Sequence, residues 1–249
     1  MPSPAQLHRQ RMLARQVADH VDAGQAGPRP QAGAAASAYR MLLAKLGADQ
    51  TRLRDIQSVE GKIELKAQLI DEFDAHVDAT LAASAQSGKA VQDEIVATMM
   101  LWRLDIGDFA RGLDIAEHVL RFRLDMPPNI RRTPATLIAE EVAEAALKAD
   151  RIAQPFDLHA VDRAMSLTQG DDMPDQVRAK LFKARGRLLL REASSAKDSA
   201  SAPAGALQSA QREALAAFQR AFALDDGSGV KKDMERLSAK VSNQENNGE

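Results

Sequence analysis

The stretch VQDEIVATMMLWRLDIGDFARGLDIAEHVLRFRLDMPPNIRR, residues 91–132, decides the fold. Val91, Ile95, Met99, Trp102 and Ile106 recur at steps of three and four, which predicts one apolar face of a helix. Phe109, Leu113, Ala116 and Leu120 repeat the pattern after Gly107-Asp108, a two-residue break with turn chemistry. Two apolar stripes joined by so short a turn must pack antiparallel, so the spacing predicts an αα-hairpin. Trp102, the only tryptophan of the chain, lies on the stripe and is expected in the core. The hairpin ends in Arg121, Arg123, Arg131 and Arg132, with Pro127-Pro128 between them.

Working outward, composition agrees with helix throughout. Only 4% of the 249 residues are aromatic, and Ala, Leu, Arg, Asp, Glu and Gln dominate. There are no cysteines, which excludes disulfides and thiolate metal sites. No apolar run approaches the roughly 20 residues that span a bilayer, and the start MPSPAQLHRQR lacks the apolar segment of a secretory signal. The expected product is a soluble intracellular protein.

Net charge is −2, but its distribution is uneven. Residues 1–60 carry eight Lys/Arg against five Asp/Glu, and residues 71–117 carry ten acids against three bases. The arginines of 121–132 then follow. Such blocks make local patches for phosphate backbones or charged partners, ordinary solvated helix faces being the plain alternative.

The chain divides into six expected segments. Residues 1–22 form a basic helix, opened by Ser3-Pro4 with Gln6 completing a capping box. It has few large apolar residues, so it reads as a flexible arm bearing Arg9, Arg11 and Arg15. Residues 23–37, rich in Gly, Pro and Ala, read as a flexible linker. A helical core is expected over 38–192, with one helix marked by Tyr39, Leu42, Leu46, Leu53 and Ile56, and another by Ile63, Ala67, Ile70 and Val77. Past the hairpin, Thr133-Pro134, Asp157 and Pro174 each open a further helix. Residues 193–206 are low-complexity and expected as a loop. Residues 207–242 read as a helical pair, and 243–249 as a disordered tail. Trp102, Gly107-Asp108-Phe109 and Gly112-Leu113 follow the rhythm of a tetratricopeptide repeat, as does ALAAFQRAFALDD at 214–226. The fold class is therefore all-α, an array of antiparallel hairpins, partly tetratricopeptide-like. Such arrays usually bind partners along a face.

Candidate chemistry is sparse. Asp71, Asp74 and Asp78 share a helix face beside Glu72 and His76, where Mg²⁺ could in principle bind, although acids at this spacing usually form a solvated face. The five histidines are dispersed, with no zinc spacing. There is no GxxxxGK[ST] and no GxSxG, so neither a P-loop nor a nucleophile elbow is encoded. Arg131-Arg132 precede a helix N-terminus, whose free N–H groups also favour phosphate. With Arg121 and Arg123 they could clamp phosphate; helix capping or pairing with Asp125 or Glu140 is the alternative.

Several strings coincide with a known family. SPAQLHRQR at 3–11, YRMLLAKLGADQTRL at 39–53, QDEIVATMMLWRLDIGDFARGLDIAEHVL at 92–120 and MPPNIRRTPATLIAEEVA at 126–143 resemble the small terminase subunit of temperate tailed phages. The type is gpM, labelled terminase endonuclease subunit. DDMPDQVRAKL at 171–181 and GVKKDMERL at 229–237 extend the resemblance over nearly the whole chain. It implies viral genome packaging in the host cytoplasm. The partners would be phage double-stranded DNA, a large subunit carrying the ATPase motor, and other copies of the chain in a homo-oligomer. Mg²⁺ and ATP would serve the large subunit, with no cofactor in this chain. No nuclease motif is visible, so cutting is expected of the holoenzyme. DNA contact is expected from Arg9, Arg11, Arg15, Arg121, Arg123, Arg131 and Arg132. Two departures stand out: the insertion-like 193–206, and a C-terminus without a basic tail. The other class of function is a helical-repeat adaptor that binds protein partners only.

Overall fold

The computed structural model describes residues 3–18, 25–197 and 205–246. Among them the secondary structure is helical apart from an isolated bridge and turns. The chain divides into two compact units, Met1–Pro134 and Ala135–Glu249, so the core expected over 38–192 belongs to two bodies.

The first unit holds α1 (Pro4–Ala18), α2 (Gly33–Asp55), α3 (Val59–Leu69), α4 (Asp71–Ser87), α5 (Glu94–Asp105) and α6 (Phe109–Phe122). The capping box of α1 forms as expected: Gln6 N–H donates to Ser3 Oγ at 3.3 Å and Ser3 N–H to Gln6 Oε1 at 2.6 Å. The helix is not a free arm. It packs along α4 and buries Val17. The expected single helix over 63–77 is two, α3 and α4, meeting at Ile70.

The α5–α6 hairpin turns at Gly107, whose φ of +82° suits glycine. Asp108 caps α6 by accepting from Arg111 N–H at 3.3 Å. Gly112 lets α6 approach closely, since a Cβ there would sit 2.8 Å from Leu104 Cδ2. The one-stripe reading of α5 needs correction. Ile95, Val96, Ala97, Thr98, Met99 and Met100 are all buried, so the helix is enclosed on every side. The cause is tertiary: α2, α3, α4 and α6 surround it. Trp102 is in the core, edge-on to Phe73 with centroids 6.3 Å apart. On α6, Leu113, Ile115, Ala116, Val119 and Phe122 are buried, whereas Phe109 and Leu120 are only partly covered.

The described part of the expected linker is not loose either. Gly27 pairs in parallel with Val91, its N–H donating to Ala90 O at 3.0 Å while its carbonyl accepts from Gln92 N–H at 2.9 Å. Ala26 N–H donates to Phe122 O at 2.8 Å. A glycine- and proline-rich strand finds backbone partners here that its composition could not announce.

The second unit holds α7 (Pro134–Arg151), α8 (Leu158–Leu167), α9 (Asp175–Lys197), α10 (Ala206–Leu224), a 3-10 turn (Asp226–Ser228) and α11 (Lys231–Asn246). Asp157 caps α8 as expected, accepting from His159 N–H at 2.9 Å. Helix α9 continues into the expected low-complexity loop, of which 198–204 lie outside the described residues, and α11 runs through part of the expected tail. Phe218 of α10 lies on Gly186 of α9, and Ala179, Leu189, Ala214, Ala221, Val230 and Leu237 complete this core. Arg185 bridges α8 and α10, with Asp162 at 2.7 Å and Glu213 at 3.1 Å. Arg187 ties α9 to Asp233 of α11 at 2.6 Å.

Candidate nucleic-acid interface

The acids of α4 come first, because their fate decides which chemistry is available. Asp71, Glu72 and Asp74 occupy the first turn of α4, where the helix dipole favours negative charge. Together with Asp78 they line a groove of about 1140 Å³ walled by α1, α2 and α4. Each faces a cation. Arg103 Nη2 reaches both carboxylate oxygens of Asp74 at 2.7 Å, and its Nη1 reaches Asp108 at 2.8 Å. Asp71 lies 3.8 Å from the same guanidinium, Glu72 lies 3.2 Å from Lys45 Nζ, and Asp78 pairs with Arg111. Among the described residues no three His, Asp or Glu side chains are grouped to hold a metal ion. These acids are interleaved with cations in a lattice of ion pairs.

Below this lattice is a buried charge centre that sequence reading missed. Asp93 caps α5, accepting from the N–H groups of Ile95 and Val96 at 3.1 Å. Its carboxylate, fully buried, also pairs with Arg29 and with His76 Nε2 at 2.8 Å. Burial pushes the Asp93 carboxyl up, but His76, then Arg29 and the Val96 N–H, outweigh it and hold the group below its ordinary value. Arg29 stacks on Tyr39 at 3.8 Å, and the Tyr39 hydroxyl accepts from Glu94 N–H at 3.0 Å. Burial and the charge of Asp93 push that phenol up. An acid immediately before an apolar run is a helix-start signal that could have found Asp93. Arg29, inside a linker-like composition, carries no such signal.

The arginines fall into two sets. On α1, Arg9, Arg11 and Arg15 are all exposed, Arg9 at the edge of the groove facing α4. At the end of α6, Arg121, Arg123, Arg131 and Arg132 are all exposed. Arg121 lies over the Phe122 ring at 5.1 Å. Arg123 takes the left-handed conformation that closes the helix, with φ of +52° and ψ of +54°. Leu124 N–H then donates back to Val119 O at 2.9 Å. Buried Leu124 and Pro127, with an Ile130 N–H to Pro127 O bond at 2.8 Å, shape the exit that carries Arg131 and Arg132. Beneath it His118 is buried, and its Nε2 has no hydrogen-bond partner. Burial pushes its pKa down to about 4, Arg121 adding to the effect against the pull of Asp93, so the ring is neutral at pH 7.

Comparison with known proteins identifies relatives of the chain. The phage small terminase subunit family matches residues 43–176. The terminase endonuclease subunit of Escherichia phage P2 is 40% identical over 241 residues, covering 97% of this chain and 86% of that protein. No solved structure matches the chain. No helix among the described residues is long and apolar enough to cross a membrane. A match over more than half the chain, with a relative similar nearly end to end, places it: the chain belongs to the phage small terminase subunit family and has a role in viral DNA packaging.

Proposed function

We propose that this chain is the DNA-positioning subunit of a packaging terminase. It binds packaging-site DNA, recruits the large ATPase and nuclease subunit, and takes part in cutting concatemeric DNA in the host cytoplasm. The observation that carries this reading is the contrast in charge: Asp74 and Asp78 are paired with Arg103 and Arg111, whereas Arg121, Arg123 and Arg131 lie exposed at the end of α6 and along the exit that follows it. A lattice of paired acids supports structure, and exposed guanidinium groups at a helix end suit phosphate oxygens. In this reading phosphodiester hydrolysis, with its Mg²⁺ and ATP, belongs to the large subunit. This chain works as a homo-oligomer, summing its phosphate contacts over several copies.

The test is a gel-shift and cleavage assay on phage-end duplex DNA, with and without the large subunit. Binding is expected to weaken steeply with salt, log K falling by about 0.9 per phosphate neutralised. Arg131→Ala with Arg132→Ala should lower affinity and flatten that slope. Absent or salt-insensitive binding would leave the protein-only adaptor standing. Mg²⁺-dependent cutting by this chain alone, lost in Asp74→Ala, would overturn the assignment of hydrolysis.

A further inference from the structure

Three segments far apart in sequence meet at the end of α6: residues 26–29, 90–93 and 122–125. Gln92 is the residue that touches both others. Its backbone pairs with the strap formed by residues 26–29, accepting from Arg29 Nε at 3.1 Å and donating to Gly27 O at 2.9 Å. Its side chain faces the other way. Nε2 donates to Arg123 O at 3.3 Å, and Oε1 accepts from Asp125 N–H at 2.8 Å.

That amide therefore spans Leu124, the residue directly after the left-handed Arg123 at which the chain leaves α6. A backbone reversal at a non-glycine residue is costly and needs its surroundings to hold it. Gln92 supplies a complementary donor and acceptor to the carbonyl just before Leu124 and the N–H just after it. The direction of the following chain, with Arg131 and Arg132 on it, depends on that reversal. Beneath Gln92, Asp93 caps α5 and holds Arg29, so the clasp stands on a rigid base.

We infer that Gln92 is a positioning residue for DNA binding: its side-chain amide clasps the backbone on both sides of Leu124 and so sets the exposed Arg123 and Arg131 in register for phosphates. The inference rests on the proposed DNA-binding role and adds the element that orients its cations. Gln92 itself need not touch DNA. A ligand that binds one arrangement loses apparent affinity in proportion as that arrangement becomes less populated.

The experiment compares the full-length protein with Gln92→Ala and Gln92→Met, the second keeping the side-chain volume while removing both hydrogen bonds. Phage-end duplex and a random duplex of equal length serve as probes, titrated across salt. Both variants are expected to bind about tenfold more weakly, with the salt slope lower by about 0.9 for each phosphate that is no longer neutralised. The Asp125 amide should also exchange faster in the DNA-free protein, a readout of the clasp that needs no DNA. Wild-type affinity and slope in Gln92→Met would overturn the inference while leaving the DNA-binding reading intact. So would a lowered melting temperature with an unchanged slope, because that marks a merely structural residue. Failure of the wild-type protein to bind either duplex would defeat the DNA-binding reading itself, and this inference with it.

Discussion

Arginine serves two purposes in the first unit, and the lattice around α4 and α5 differs from the exit of α6 in what lies within reach of each guanidinium. Arg103 and Arg29 are mostly covered and meet fixed carboxylates: Asp74 and Asp108 for the one, Asp93 for the other. Arg121, Arg123 and Arg131 lie at the surface around an irregular segment. A covered cation costs desolvation energy and must be matched inside the fold, so it is fixed to one partner. An exposed one keeps its hydration and can exchange it for phosphate. Charge density along the sequence does not separate these cases; burial does.

The comparison is most exposed to failure at Asp93. Asp93→Asn keeps a good cap for α5 but leaves Arg29 without its counter-charge, and removing one member of a buried pair costs about 3–5 kcal/mol. Urea unfolding should show a loss of that order with the unfolding slope unchanged. A loss below about 1 kcal/mol would mean that the lattice is not what holds the strap.

Acid should erode the same region next. The folded pKa of His118 lies near 4, below the value of 6.5 it takes in the unfolded chain. The unfolded state therefore binds more protons between those limits. The stabilisation is complete above pH 6.5 and is lost as pH falls toward 4, amounting to at most about 3 kcal/mol. Asp93, also depressed, contributes in the same direction only at lower pH, below the ordinary carboxylate value. Stability measured from about pH 7.5 down to 4 should slope downward, and His118→Leu should flatten that slope. An unchanged slope in the variant would assign the proton uptake elsewhere.

The smallest effect separates stability from binding at a single residue. Arg123→Gly relieves a left-handed non-glycine residue and should stabilise the protein by about 1 kcal/mol. It also removes one exposed cation, so DNA affinity should fall as the melting temperature rises. Opposite signs in the two measurements would place Arg123 on the binding side of the comparison; a parallel change would move it to the structural side.

Much of the fold is legible in the sequence for local reasons. The capping box at Ser3 and the Asp157 cap are short-range hydrogen-bonding patterns, and Gly107 is a local backbone requirement. The core role of Trp102 follows from its place on an apolar stripe. The misreadings have one source. The run 95–100 reads as one face because periodicity reports contrast along a helix, and a helix covered on every side has none to report. The strap at 26–29 reads as linker because its partners, at 90–93 and 122, lie more than 60 residues away. Among the candidate site residues, the arginines at 121–132 and those of α1 are exposed, Arg9 beside the groove. The acids of α4 lose their apparent freedom to Arg103, Arg111 and Lys45.

The sequence by itself determined an all-helical chain, its hairpin turn, its caps and its family, because turn chemistry, helix starts and motif strings are written within a few residues of where they act. Only the tertiary structure decided which charges are paired inside the fold and which face water. That choice depends on whether a carboxylate is brought within about 3 Å of a guanidinium and away from water. For Arg29, His76 and Asp93 the partners come from three different parts of the chain, and no spacing along it records their meeting.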